Sequence, residues 1–264
     1  MIQFNLNRFG KLAKWSLTTD RGFYLRNLLN VFVVLSLFFI AFTTHFFRIN
    51  LNGHSDGYAP CLAATMIIFI ITVVTGPAWM FSSMKGKHDL QTLLMLPASN
   101  FEKYLMRYST WILLLPLYIV AFLGADLVQY LVNVLSGSEH VKFVTTVFID
   151  HVNALLVSAS HAPQYFLNAM ITLVFLFHSL YALGGTFFRS HKYSWVMTTV
   201  SIIVLSMVIL WLSPESSEGS VDKEYTTMEI VLWEAIYGVW FLLNFWLSYR
   251  LFCRQQVIGK FVNL

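Results

Sequence analysis

Six apolar runs, each near the length of one bilayer crossing, cut this chain into seven polar gaps whose charges alternate by side. Fourteen of its 17 Lys and Arg fall in the gaps 1–27, 85–107, 189–192 and 250–264. The intervening gaps, 48–58, 135–164 and 213–229, hold only Arg48, Lys142 and Lys223, together with eight of the 13 acids. Soluble folding gives charge no reason to follow the parity of the loops. A bilayer does, because Lys and Arg flanking a span are retained on the cytoplasmic side. The predicted fold is therefore an all-α integral membrane protein with six transmembrane helices and both termini cytoplasmic. The spans fall at about 28–47, 59–84, 108–134, 165–188, 193–212 and 230–249, in a single transmembrane domain over 1–264.

Composition agrees with this reading. The chain is 57% apolar and 11% charged, against about 25% charged for soluble proteins, and its mean hydropathy is +0.65. Crossing the bilayer uses most of the 264 residues, which leaves no room for a separate soluble domain of ordinary size. The net charge of +4 does not imply nucleic acid as a partner. The basic residues flank apolar spans in four clusters, where retention and contact with membrane lipids account for them. Trp and Tyr gather near the span ends (Trp79, Tyr108, Trp111, Tyr165, Tyr193, Trp195, Trp211, Trp233, Trp246, Tyr249), as amphipathic rings do at the two interfaces. Cys61 and Cys253 lie at opposite sides of the membrane and cannot pair.

Within the spans, Gly76-Pro77 predicts a kink near the inner end of the second, and the third carries Pro116 and Asp126. Two cytoplasmic segments combine basic charge with apolar faces. In FNLNRFGKLAKWSL (Phe4–Leu17), the residues Leu6, Phe9, Leu12 or Ala13 and Trp15 or Ser16 fall on one helical face, with Arg8, Lys11 and Lys14 on another. This is the pattern of a helix lying in the inner interface. It reads as an orientation anchor, or as a helix that also contacts a cytoplasmic partner.

The 85–107 gap, KGKHDLQTLLMLPASNFEKYLMR, is longer than the two to eight residues that usually join packed helices. A short amphipathic helix is predicted over 89–96, with Asp89 in its first turn and Pro97 ending it. Ser99 or Asn100 can cap a second helix that has Glu102 or Lys103 in its first turn. Two short helices meeting at an angle would form a rigid knob on the cytoplasmic face. Packing of the segment on the bundle is the alternative. Leu93, Leu94, Met95 and Leu96 make an apolar run that needs a cover.

The stretch Leu96-Pro97-Ala98-Ser99-Asn100-Phe101-Glu102-Lys103-Tyr104 resembles the LPxSxxEK-type segment of small ABC-2 type permeases. The layout is similar as well: an amphipathic N-terminal segment, six spans with both ends inside, Asp126 late in span 3, and a short basic tail from Arg250 to Lys260. The resemblance implies a type V exporter-like architecture in a bacterial cytoplasmic (inner) membrane. It also implies that the 85–107 loop holds a coupling helix that docks on a separate ATPase subunit. The implied contacts are Lys87, His88, Asp89, Leu90, Leu93, Leu96, Pro97, Ser99, Asn100, Glu102 and Lys103. A second permease subunit, identical or related, would complete the membrane part. One departure stands out. Members of that family commonly place small re-entrant helices between spans 5 and 6, whereas here 213–229 is short and acidic. The large outer segment is 135–164, with Val141, Val144, Phe148, Val152, Leu155 and Leu156 near one helical stripe.

Acids inside a membrane are functional candidates by default. Asp126 stands about 18 residues into span 3, roughly 27 Å from its inner end at 1.5 Å per residue. Glu234 lies a turn into span 6. Both therefore sit toward the outer interface, as candidates for a transport path or for helix pairing. His178 is deeper, in mid-span 4, and reads either as a buried, hydrogen-bonded histidine or as a path residue. The spacings of His140, Asp150, His151 and His161 fit no metal-ligand motif, so no metal is expected. The chain contains no G-x-x-x-x-G-K-[ST], H-E-x-x-H or G-x-S-x-G, and no enzyme activity is expected of it. ATP and Mg2+ would be held by the partner. Two other classes stay open: a membrane-embedded lipid-modifying enzyme working through Asp126, Glu234 and the outer histidines, or a non-transporting scaffold or immunity protein.

Overall fold

The computed structural model describes residues 4–44, 57–83, 87–138, 141–161, 164–189, 193–212 and 227–254. Among them there are helices and no strands. In chain order these are α1 (Leu6–Thr19), α2 (Arg21–Thr43), α3 (Tyr58–Thr75), α4 (Lys87–Met95), α5 (Asn100–Leu135), α6 (Val144–His161), α7 (Gln164–Phe187), α8 (Ser194–Leu212) and α9 (Thr227–Cys253). Among the described residues, five helices are long and apolar enough to cross a membrane: α2, α3 with the turn that follows it, α5, α7 and α9. The chain thus has the build of an all-helical, multi-pass membrane protein. Arg48, His140, Lys192, Lys223, most of the 213–229 gap and the basic tail beyond Arg254 lie outside the described residues.

Two expectations change. Span 2 does not kink and continue. Its α-helix stops at Thr75, and Gly76–Trp79 forms a 3-10 turn with Pro77 at its start, because proline cannot donate to the preceding helical turn. The 85–107 segment does not end in a separate short helix either. Its second half is the beginning of α5, whose 36 residues span about 54 Å, well beyond the roughly 30 Å hydrocarbon core. Pro116 sits inside this helix without ending it.

The chain divides into two compact units. One comprises Met1–Ala13, Val74–Thr110 and Pro163–Leu264; the other comprises Lys14–Val73 and Trp111–Ala162. In the first unit, α7 and α9 pair Phe175 with Phe241, His178 with Phe245, Ser179 with Asn244 and Ala182 with Ser248. Both sets of numbers rise together, so the two helices run in the same direction. α5 opposes them, placing Tyr104 on Ser248 and Tyr108 on Phe245. α8 also opposes α7, with Tyr181 bonded to Thr199 and Gly184 against Thr198. Small residues permit this closeness. A Cβ on Gly184 would collide with the Thr198 side chain, and one on Gly185 would fall 2.9 Å from the Ala78 Cα and the Pro77 carbonyl oxygen.

In the second unit, α2 and α5 run the same way, Phe32 lying beside Gly124 and Thr43 bonding Asn133. α3 opposes α5, with Tyr58 on Gln129 and Cys61 in one buried cluster with Ala125, Phe39 and Val144. Of the residues on the expected amphipathic stripe, Val144 is buried on α6, while Leu155 and Leu156 are exposed.

Exposed apolar side chains dominate the long helices, including Ile67 to Ile71 on α3 and Val231, Leu232, Trp233 and Leu242 on α9. Hydroxyls on these helices turn back on their own backbone. Ser36, Thr65, Thr72, Thr198, Thr199, Ser201 and Ser206 each donate to the carbonyl four residues earlier.

Candidate functional site: a welded elbow at the basic end

The sequence around Pro97 folds as its local chemistry dictates. α4 ends at Met95 before the proline, and α5 starts at Asn100. Ser99 is the cap: its Oγ accepts the Glu102 amide at 3.2 Å, while the Glu102 carboxylate accepts the Ser99 amide at 2.8 Å. This reciprocal pair satisfies two amide donors at the start of α5. Lys103, also buried, donates from Nζ to the Leu94 carbonyl oxygen at 2.7 Å and so closes the open end of α4. The elbow between the two helices is thereby tied across its corner.

A third element joins it. Arg8 of α1 grips Glu102 with both arms, Nε to Oε2 at 2.8 Å and Nη2 to Oε1 at 2.7 Å. The Asn5 amide adds a further 2.7 Å bond to Oε1. A planar guanidinium fork matches a carboxylate in just this way. Phe4 closes the contact by packing on Phe9 and edge-on to Phe101. The sequence pattern assigned Arg8 to the polar face with Lys11 and Lys14. Those two lysines are exposed, but Arg8 turns inward to the elbow. Glu102 is fully buried. The Arg8 fork, with the Asn5 and Ser99 amides behind it, holds its carboxyl down at about 2, against the desolvation that would raise it. Arg8 is raised in turn by its bond to Glu102, and burial lowers Lys103.

Of the residues expected to touch a partner, Leu93, Glu102 and Lys103 are buried within the chain and shape the elbow from inside. Leu96 and Ser99 are half-buried, and Pro97 and Asn100 are exposed. Met95, 83% exposed, and Phe101 extend the outward surface. Lys87, His88, Asp89 and Leu90 lie on α4, but their side chains fall outside the described residues.

The path candidates are placed apart from this elbow. His178 is buried and bonds Tyr108 Oη at 2.7 Å, with Phe245 beside its ring. Asp126 is committed to α6: Oδ1 accepts the Val144 amide at 2.7 Å, and Oδ2 accepts the Thr145 amide and hydroxyl at 2.9 and 2.6 Å. It caps a helix that begins 18 residues later. Glu234 is half-buried, and its Oε1 meets no hydrogen-bond partner among the described residues. Asp150 and His151 are exposed on α6, His140 is outside the described residues, and no group of three metal-ligating side chains forms among those described.

Sequence reasoning missed the buried polar groups Gln129, Asn133 and Asn244. Gln129 and Asn133 carried a signal: with Asp126 they stand at i, i+3 and i+7, a polar stripe on an otherwise apolar helix. Comparison of the chain with protein families, curated proteins and solved structures finds no match.

Proposed function

We propose that this chain is the membrane-spanning subunit of an ABC exporter of the ABC-2 type, in a bacterial cytoplasmic membrane, working with an ATPase subunit and a second permease subunit. The observation that carries the reading is the welded elbow. Between Leu93 and Lys103 the chain spends a buried ion pair, a capping box and a lysine–carbonyl bond on fixing the shape of a small projection. Such stiffness has little use in a passive connector. It suits a part that must receive a push without yielding, since a force on the outward residues Met95, Pro97, Asn100 and Phe101 passes through the bonded corner into α5 and α1.

The direction of the helices supports six crossings. Within each unit, neighbours run up and down as the sorted charges require, and α8 opposes both α7 and α9. α8 has 19 residues, about 28 Å at 1.5 Å per residue, close to the hydrocarbon thickness. ATP and Mg2+ would be bound by the partner, and this chain would be no enzyme.

The test is co-purification from membranes with an ABC ATPase subunit expressed together with this chain. Replacing 87–103 with a flexible linker of equal length should abolish capture while leaving insertion intact. Met95→Asp with Phe101→Asp should weaken capture at least tenfold. Undiminished capture after loss of the whole segment would refute the mechanism.

A further inference from the structure

At the outer ends of α2, α3 and α5 in the second unit, a small polar cluster is closed off from the surface. Gln129 and Asn133 are 0% and 1% exposed. Each donates its amide N–H across to a neighbouring helix, Gln129 Nε2 to Tyr58 Oη at 3.2 Å and Asn133 Nδ2 to Thr43 Oγ1 at 2.9 Å. Their carbonyl oxygens, Gln129 Oε1 and Asn133 Oδ1, are buried and meet no donor among the described residues. Orphaned acceptors of this kind are rare in folded interiors, and each one calls for a partner.

The chemistry of the neighbours fixes what that partner is. Thr43 gives its own proton to the Phe39 carbonyl oxygen at 2.8 Å. Its oxygen can therefore only accept from Asn133, which leaves Oδ1 as the free end of that amide. Tyr58 Oη accepts two N–H groups, from Gln129 and from the Lys142 backbone at 3.1 Å, so its own proton is still to be placed. Gln129 and Asn133 stand one turn apart on one face of α5, where Cβ atoms are about 5–6 Å apart. Two acceptors and one donor in this cluster match the bonding capacity of a single water molecule, which donates twice and accepts once. Three bonds is the usual complement of a buried water. Turning the Gln129 amide over satisfies Tyr58 but leaves the Nε2 hydrogens unaccepted, and the same water then accepts one of them.

We infer that Gln129, Asn133 and Tyr58 hold a buried structural water that joins the outer ends of α3 and α5 and, through Thr43, of α2. The ligand is a neutral donor–acceptor, since the carboxylate of Asp126 is already occupied by the Val144 and Thr145 donors.

The test uses the full chain with Cys253→Ser, so that Cys61, buried in the adjoining cluster, is the one thiol that reports opening. Tyr58→Phe, Asn133→Leu and the double variant are compared by the rate of maleimide labelling. Tyr58 and Asn133 share no direct hydrogen bond, so without the water their effects multiply. With it, the double variant falls short of the product at least about fivefold, and exchanging Na+ for K+ or choline changes nothing. Simple multiplication within twofold overturns the inference. So does dependence on the cation, which would put a metal ion in its place, or an experimental map that resolves ordered waters and shows none between these three side chains.

Discussion

Replacing Asp126 by alanine is the sharpest test of how the outer segment is held. The substitution removes the two carboxylate oxygens that accept three hydrogen bonds from the first turn of α6, two of them from backbone amides that have no partner within the helix. Val144 is 1% exposed, so its stranded amide cannot turn to water, and leaving one buried donor unmet costs about 1–3 kcal/mol. Thr145 is half-buried and recovers part of its loss through solvent. The expected destabilisation is therefore about 2–4 kcal/mol, at or above the upper end for loss of a helix cap. Val144 packs in one cluster with Cys61, Phe39, Tyr58 and Ala125, so loosening α6 exposes the thiol. At about 1.4 kcal/mol per tenfold, maleimide labelling of Cys61 in a Cys253→Ser background should accelerate roughly 30- to 700-fold. Asp126→Asn should fall between, because it keeps one acceptor but turns an NH2 toward a donor. Labelling of the alanine variant within threefold of the parent, in protein that is still inserted, would refute the capping role.

Other outcomes follow from the same structure. The Glu102 carboxyl is depressed to about 2 from an ordinary 4.5, so its contribution is complete above the ordinary value and is lost as pH falls from about 4.5 toward 2. A spin-label pair at Asn7→Cys and Asn100→Cys should therefore keep one sharp distance down to about pH 4.5 and broaden below it. Gly185→Ala pushes a methyl group into the backbone of Pro77 and Ala78, which cannot rotate away. It should cost about 1–3 kcal/mol and lower the melting temperature in detergent by several degrees. For the six-span topology, Ser217→Cys in a chain lacking the native thiols should label from the outside in intact cells, whereas Cys253 in a Cys61→Ser chain should label only after permeabilisation.

Local chemistry was legible and long-range chemistry was not. The Ser99–Glu102 cap was among the pairings the local sequence offered, because both partners lie within one helical turn. The relative directions of neighbouring helices within each unit agree with the charge sorting, which is a property of whole gaps and tolerates errors of several residues. The grip of Arg8 on Glu102 could not be read, because it joins groups 94 positions apart. Helical periodicity placed Arg8 with the lysines, but a buried carboxylate outweighs membrane headgroups as its partner. Asp126 reads as either a path residue or a helix-pairing residue near the outer interface, and only the arrival of α6 reveals its three donors. Gly76-Pro77 reads as a kink, and the one-dimensional pattern does not say that the α-helix gives way to a 3-10 turn after Thr75.

The back-bonded hydroxyls bear on how the protein is made. Thr198, Thr199, Ser201 and Ser206 on α8 satisfy themselves within their own helix. These four hydroxyls therefore need no partner when α8 leaves the insertion machinery, although Ser194 in its first turn donates to the Ala78 carbonyl oxygen, and the helix can rest in lipid until a neighbour arrives. α5 and α9 have no such independence: Gln129, Asn133 and Asn244 find their partners only on other helices. Biogenesis should then be timed by the amide-bearing helices. α5 would be retained beside the insertion machinery, or close against α2 and α3 as it emerges, and α7 would wait for the last helix before its polar contacts are complete.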